Sequence, residues 1–554
     1  MMHQIEIVGK IRNTTPLAIG SGETWADYCI AHGLDSTARI REDFDSSNVK
    51  LIHRDARGKP FIPGSALKNL IRRALTLLSK NSVPVKDEQH KVLLERITDE
   101  HIRTLVGTAS GTEEATGGRV LFSSAFLNLT GDESNSLAEK RKHHPWYDAQ
   151  ELTYIETSVG IHRRTGVAHA NRLFSYELLP PDHIFDANLL IDDCQESEGD
   201  LYARILCLAL EAIGVCGKNT SLPLLPIGSG GADGNGALSW ELQRVEKLTY
   251  DSQVEKIEIL KPDESLKNIK SGMLTLSASI ELNFIGPFMV RDAAWLSGKL
   301  KADDRSRLSP DGKAMLPASG FRGVFRSALE RIYNTLVPDA NLTPDYLNQR
   351  PMEPEDVDLY EDTDPLLMLH RLLGSTSSRS SMQISDFVST KDGRRTRFEM
   401  IGIDRWTGGN ADGCKFNVEA FDSPTLKGEI LIQLPDEEWT AAALGLLVLT
   451  MRDLIEGDLA FGHGVYRGFG ACTASIKSLH IDGWQKAKNL QGSLPAQKDI
   501  GEDELHQAID SILKPPESDT NDQKSSLQLT NKILNAILNA TRSFLFPEIA
   551  QFSS

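Results

Sequence analysis

Two pairs of cations stand where a helix would present them to an anion. Lys68 and Arg72 lie four residues apart behind Pro63 and Ser65, with Arg73 beside them; Arg322 and Arg326 lie four apart behind Pro317 and Ser319. Residues four apart share one helix face. Proline keeps the chain from entering a helix earlier and serine is a favoured N-cap, so Ser65 and Ser319 are expected as caps and each cation pair in the first turns. Cations there oppose the helix dipole unless an anion is held close by. Open N–H groups, dipole and paired cations together suit a phosphate. A merely solvated basic face has the same spacing, and recurrence of the pattern favours the phosphate.

Glycine supplies a second kind of anion site. Gly228, Gly230, Gly234 and Gly236 form one G-x-G-x-x-x-G-x-G loop; Gly462, Gly464, Gly468 and Gly470 form another, which carries Arg467. Such loops let backbone approach a ligand and expose N–H groups. A tight helix-to-strand turn uses the same residues. Neither loop ends in the Lys-Ser/Thr of a P-loop, and a dinucleotide fingerprint would follow the first strand rather than precede the last. Arginines gather around Gly160–Gly166 (Arg163, Arg164, Arg172) and Gly402–Gly408 (Arg394, Arg395, Arg397, Arg405). Basic clusters in an acidic chain suggest one basic groove on an acidic body, against the alternative of solvated charge runs. His143, His144, His162 and His463 are not at metal-ligand spacing and read as surface or RNA-contacting side chains.

These features occur twice, in the same order. Phe61–Leu75 aligns without gaps on Met315–Leu329, and Leu105–Ser110 pairs with Leu372–Ser377. Gly160–Gly166 pairs with Gly402–Gly408, each followed by a Phe (Phe174, Phe416) and a Glu (Glu177, Glu419), and the glycine loops come last. Four landmarks in one order make the chain a tandem duplication. The elements that position them repeat too. Gln4–Arg12 and Leu274–Leu282 alternate as half-buried strands. Leu201–Val215 and Trp439–Ile455 are patterned as helices that end before the glycine loops, and Ala237–Leu242 and Ala471–Ile476 read as closing strands. The expected division is a first domain at 1–245, a linker at 246–271, a second domain at 272–484 and a tail at 485–554 with a short helix over 527–546.

Composition bounds the function classes. The chain has 554 residues, 40% hydrophobic and 25% charged, which excludes a wholly disordered chain. Its longest apolar stretch, Ala441–Met451, is about half of the ~20 residues a spanning helix needs, so no membrane role is expected. Six scattered cysteines without a C-x-x-C pair suit a reducing cytoplasm better than a disulfide framework or a zinc cluster. A formal charge of −17 argues mildly against a free-standing nucleic-acid binder and says little about a single groove.

The Pro-Gly-Ser-x-Leu-Lys-x-x-x-Arg helix, the Gly-Ile-Asp-Arg-x-Thr-Gly segment (with His162 where the second copy has Asp404) and the glycine loop before the last strand resemble the RAMP superfamily of CRISPR-associated proteins. The chain is most similar to two backbone subunits of a type III effector fused in tandem, as in the III-D branch. The resemblance implies an α+β fold of two ferredoxin-like, RNA-recognition-motif-like domains, each with a thumb insertion near the third landmark. It implies CRISPR RNA on the helix and glycine-loop surfaces, complementary target RNA, and backbone, large and small subunits as partners. It further implies Mg²⁺-dependent cleavage of the target by the RNA's own 2′-hydroxyl, with an aspartate in the loop after the first strand.

In the first copy Thr15–Gly22 matches the opening of that loop, and Asp27 follows as candidate catalytic residue and metal ligand; Asp35, Asp43 and Asp45 share the loop. In the second copy Gly286–Arg291 lacks the Gly-Ser-Gly, and Asp292 is the candidate, with Asp303 and Asp304 behind it. An aspartate is a poor base for a ribose hydroxyl and better suited to holding Mg²⁺ against a phosphate or fixing geometry. Three rival readings are a non-catalytic RNA-binding scaffold, a CRISPR-RNA-processing endoribonuclease with His32 or His53 as base, and an acidic protein-only adaptor, which would leave the paired Lys/Arg helices unexplained.

Overall fold

The computed structural model describes residues 3–35, 49–108, 116–129, 147–148, 151–161, 168–194, 196–248, 254–257, 266, 269, 271, 273–292, 304–309, 311–336, 365–374, 379–391, 393–434 and 439–482. The tail, Arg163, Arg164, His162, His143, His144, Asp43, Asp45 and Asp303 lie outside these residues. The chain forms two compact units, with the main division between Gly272 and Met273.

In the first unit, strand β1 (His3–Asn13) is followed by helices α1 (Trp25–Ala31), α2 (Gly64–Lys80) and α3 (Asp99–Val106). Then come β2 (Val120–Phe122), β3 (Ala125–Leu127), the paired strands Thr153–Ile161 and Ala168–Leu178, which belong to this unit only up to Thr157 and from Phe174, β4 (Ile184–Cys194), α4 (Glu196–Ala212) and β5 (Leu238–Leu248). Strand β1 lies at the centre, antiparallel to both neighbours: Ile7 faces Leu189 on β4 and Val245 on β5. Strand β4 pairs onward with β2 and β3. The order β5-β1-β4-β3 is that of a ferredoxin-like sheet. The alternation read from sequence places Ile5, Ile7 and Ile11 on the buried face, where Leu67, Leu70, Ile71 and Ala74 of α2 and Ala203, Leu206 and Leu210 of α4 are also buried. Each such large aliphatic side chain contributes about 1.5–3 kcal/mol.

The second unit repeats the plan. Its elements are β6 (Leu274–Phe284), α5 (Ala318–Leu336), α6 (Pro365–Leu373), β7 (Met382–Ile384), β8 (Phe387–Ser389), a hairpin of Arg395–Ile403 and Asn410–Asp422, β9 (Thr425–Leu434), α7 (Thr440–Glu456) and β10 (Cys472–Asp482). The sheet order is β10-β6-β9-β8. Even the irregularity is copied: the register of β1 against β5 shifts between Val8 and Gly9, and that of β6 against β10 shifts between Ser279 and Ile280, 271 residues on in each case. The core differs in filling. Phe321 stacks on Phe387 (4.5 Å) and Phe461 (5.1 Å), where the aligned position of the first copy is Leu67.

The structure lengthens both closing strands beyond the expected ends, to Leu248 and Asp482. Their outer halves carry polar residues on the wet face, which hides them from an apolar count. The expected linker contributes a strand, Val254–Lys256, that pairs with β5. Neither serine caps its helix. Helix α2 begins at Gly64 with Pro63 as N-cap, and α5 begins at Ala318, so Ser65 and Ser319 are second residues of their helices.

Arg72 and Arg326, expected to face a phosphate, tie helices together instead. Arg72 donates to the carbonyls of Val106 (3.2 Å) and Gly107 (2.9 Å), which end α3. Arg326 donates to the Gly374 carbonyl behind α6 (3.0 Å) and pairs with Glu330 (2.9 Å), whose side chain is 2% exposed. These carbonyls are the unsatisfied end of a helix, and a cation there also meets the negative pole of the dipole. Arg326→Gln removes an ion-pair partner of buried Glu330 and is expected to destabilise the second unit by about 3 kcal/mol or more. Arg72→Gln loses only carbonyl bonds, about 1–3 kcal/mol. Urea unfolding of the two variants measures the difference, and equal costs would contradict the assignment.

Candidate nucleic-acid interface

Lys68 and Arg322, which lie nearer the helix starts, are both half-buried. Arg73 donates to the Pro226 carbonyl (2.8 Å) and so ties α2 to the chain entering the first glycine loop. The two helix starts differ electrostatically. The Gly64 N–H donates to the Ser124 hydroxyl (3.2 Å), whereas the Ala318 N–H donates to the Asp386 carboxylate (2.8 Å). A carboxylate on the positive end of α5 occupies the place an external phosphate would take.

The glycine loops are built alike. All four glycines of each loop have positive φ, and each loop turns through one 3-10 turn, Gly231–Asp233 or Val465–Arg467. Each is clasped to the chain leaving the first strand. Gly236 donates to the Pro16 carbonyl (2.8 Å) and Ser229 to that of Ala18 (2.8 Å); Gly470 donates to Pro287 (2.9 Å) and His463 to Met289 (2.7 Å). A Cβ on Gly236 would lie 1.9 Å from the Ile227 carbonyl oxygen, and one on Gly470 would lie 2.0 Å from that of Phe461. Those two glycines close the loop, while a Cβ on Gly468 meets nothing within 4 Å. Gly228 and Gly462 hold the approach to the first strand, and Gly230, Gly464, Gly234 and Gly468 flank the 3-10 turns.

The loops part in charge and exposure. In the first, Gly231 and Gly234 are buried, and Asp233 occupies the turn. In the second, Val465, Tyr466, Arg467 and Gly468 are exposed, and the Arg467 guanidinium lies 5.1 Å over the Phe416 ring. His463 belongs to this second loop. Burial pushes its pKa down, opposed by Asp304 and reinforced by Arg291 and Arg467, so the imidazole is neutral near neutral pH. Arg291 is itself paired to Asp304 (2.8 Å). The gathering of Arg291, Asp304 and His463 was not legible in sequence, because the three come from different loops.

The arginine-rich landmark of the second unit is the tip of the Arg395–Ile403 and Asn410–Asp422 hairpin. There Asp404 accepts the N–H and hydroxyl of Thr407 and the N–H of Trp406, bonds that hold its carboxyl below the usual value. Arg405 and Trp406 are exposed. Arg395 and Arg397 pair with Glu419 and Glu399 on the hairpin itself, so this charge is partly self-compensated.

The loop aspartates are placed differently. Asp27 is exposed in α1 and completes a capping box. The Thr24 hydroxyl and N–H donate to its Oδ2 (2.7 and 2.9 Å), while its own N–H donates to Thr24 Oγ1 (3.3 Å). The Thr24 hydroxyl and then its N–H hold the Asp27 carboxyl below its usual value. Asp292 is buried, 6% exposed. The clasps pair Pro16 with Pro287 and Ala18 with Met289, which sets Asp292 against Ser21 rather than Asp27. Counting on from there, Asp27 would face Gly298, outside the described residues. Among the described residues no three His, Cys, Asp or Glu side chains converge as a metal cage, and no helix is long and apolar enough to cross a membrane.

The two kinds of loop glycine are separable. Gly470→Ala is expected to destabilise the second unit by several kcal/mol, since it adds a backbone clash to the left-handed penalty. Gly468→Ala carries only that penalty, about 1–2 kcal/mol. Thermal unfolding of both variants measures the gap, and a Gly470→Ala protein as stable as wild type would refute the clasp.

No curated protein matches the chain. The RAMP superfamily sequence model matches residues 10–239 and 281–473, which together make up well over half of the chain and coincide with the two sheets, their helices and their glycine loops. The chain belongs to the RAMP superfamily.

Proposed function

We propose that this chain is a backbone subunit of a type III CRISPR effector complex, which holds CRISPR RNA on both units and cuts complementary target RNA at its first. Superfamily membership supports a CRISPR-associated, RNA-binding role. The observation that carries the finer reading is the clasp. It fastens a glycine loop to the chain leaving the first strand, and in the first unit that chain leads on to exposed Asp27. Backbone contacts of this kind hold RNA without reading its sequence. The second loop, with Arg467 and an exposed turn, is the stronger phosphate site of the two.

Cleavage is assigned to the first unit. The 2′-hydroxyl of the target gives up its proton and its oxygen bonds to the adjacent phosphorus. The bond from phosphorus to the 5′-oxygen then breaks, that oxygen takes up a proton, and a 2′,3′-cyclic phosphate remains. A carboxyl held ionised by Thr24 is a weak base, so Asp27 serves by orienting charge at the phosphate. A Mg²⁺ ion would offset phosphate charge when bound. On the protein side exposed Asp27 would hold it, the remaining ligands being water and RNA phosphate. Buried Asp292 does not take the matching part, and the second unit binds without cutting.

The test is a cleavage map. The chain is assembled with its partner subunits and a guide, given end-labelled complementary RNA with Mg²⁺, and compared with Asp27→Asn and Asp292→Asn. Loss of one product band in Asp27→Asn with target binding intact, and an unchanged ladder in Asp292→Asn, is the expected outcome. A full ladder in Asp27→Asn would leave the chain a scaffold.

A further inference from the structure

Helix α1 carries a feature that neither the clasp nor the cleavage reading uses. Trp25, Tyr28 and His32 recur at the spacing of one helix face and stack in series. The Trp25 and Tyr28 ring centroids are 5.3 Å apart with planes 15° from parallel, and those of Tyr28 and His32 are 4.0 Å apart at 24°. His32 Nδ1 lies 2.8 Å from the Tyr28 carbonyl. A carbonyl only accepts, so Nδ1 is the protonated nitrogen and the ring is fixed in orientation. Trp25 and Tyr28 are half-buried, whereas His32 is exposed. The capping box of Thr24 and Asp27 fixes the start of this short helix, and buried Cys29 anchors it.

We propose that the Trp25–Tyr28–His32 ladder is a shelf on which one unpaired nucleobase of the target RNA stacks, beside the Asp27 phosphate. This rests on the cleavage reading above. Three lines lead there. In-line attack by a 2′-oxygen requires the nucleotides on either side of the scissile phosphate to leave their helical stack, and a displaced base needs another surface. Near-parallel rings ending in an exposed imidazole extend naturally by one more flat ring, and aromatic platforms accept any base because each has a π-face. The surroundings suit a nucleotide better than an apolar side chain. Exposed Lys50 lies opposite Thr24 in the adjoining strand pair, and exposed Ile30 falls on the other side of the helix by its spacing.

The experiment uses the full chain carrying Asp27→Asn, with guide and complementary RNA in which 2-aminopurine replaces single bases in turn. One position is expected to lose fluorescence on binding in a way that depends on the ladder. The quench persists in Tyr28→Phe, which keeps the ring, and is lost in Tyr28→Leu and His32→Ala. Against a short single-stranded RNA, Tyr28→Leu is expected to weaken binding roughly fivefold to a hundredfold. An identical quenching profile in Tyr28→Leu and Tyr28→Phe, with RNA bound by both, overturns the shelf and leaves the cleavage reading standing. A Tyr28-dependent quench in a protein whose Asp27 form never cuts keeps the shelf and removes the cleavage reading. No RNA bound by the unsubstituted chain overturns both.

Discussion

Each unit depends on a backbone clasp in which a glycine loop donates to carbonyls just past the first strand. Gly236 to Pro16 and Gly470 to Pro287 are bonds between segments more than 180 residues apart. They lie beside glycines pressed against that chain: a Cβ on Gly228 or Gly462 would sit 2.3 Å from the Ala18 or Met289 carbonyl oxygen. The clasp brings the loop before the last strand to the same end of the sheet as the loop after the first. In a ferredoxin-like order β5-β1-β4-β3 those two strands are neighbours, so the sheet already carries the two ends together and the clasp sets their spacing. The glycine loop and the loop after the first strand therefore share one corner of each unit.

Duplication fixed that corner twice and then let its decoration drift. Pro16 and Ala18 became Pro287 and Met289 with their hydrogen bonds unchanged, because the bonds use carbonyls rather than side chains. Side chains had no such constraint. Asp233 and Arg467 occupy equivalent turns with opposite charge, and Ser124 and Asp386 offer different partners to equivalent helix starts. The first copy meets its helix start with a neutral hydroxyl and partly covers its loop, while the second meets its helix start with a carboxylate and exposes a basic loop. The chemical differences between the two corners follow from these local substitutions, with no change in fold.

What was legible in sequence follows the same line. Strand alternation at Ile5, Ile7 and Ile11, the helix patterns, and the order of the four landmarks carried the fold, since all report backbone periodicity. Site chemistry was less legible wherever a side chain's partner is remote in sequence. Arg72 and Arg326 have the spacing of a phosphate clamp, yet their partners are carbonyls some 35 and 48 residues away. Asp292 looked like the counterpart of Asp27 because it is the first acid after the strand, and only the clasp register shows it opposite Ser21. Ser65 ranks high as a cap, but Pro63 already supplies the extended turn, and its carbonyl accepts from Ala66 and Leu67.

The acidity of the chain becomes intelligible in this light. A formal charge of −17 would repel RNA at long range, but screening confines such repulsion to about 8–10 Å at physiological salt. Within that distance local donors decide. Many of the arginines with described side chains are internally committed: Arg72 and Arg73 to carbonyls, Arg326 to Glu330, Arg395 to Glu419, Arg291 to Asp304. The glycine loops carry neutral backbone N–H groups as well, several of them already bonded within the loop or in the clasp. A neutral N–H attracts phosphate with less dependence on salt than an exposed lysine, because it displaces no condensed counterion from the nucleic acid. Specific placement on the loop is thereby separated from the indiscriminate attraction a basic surface would have for any nucleic acid.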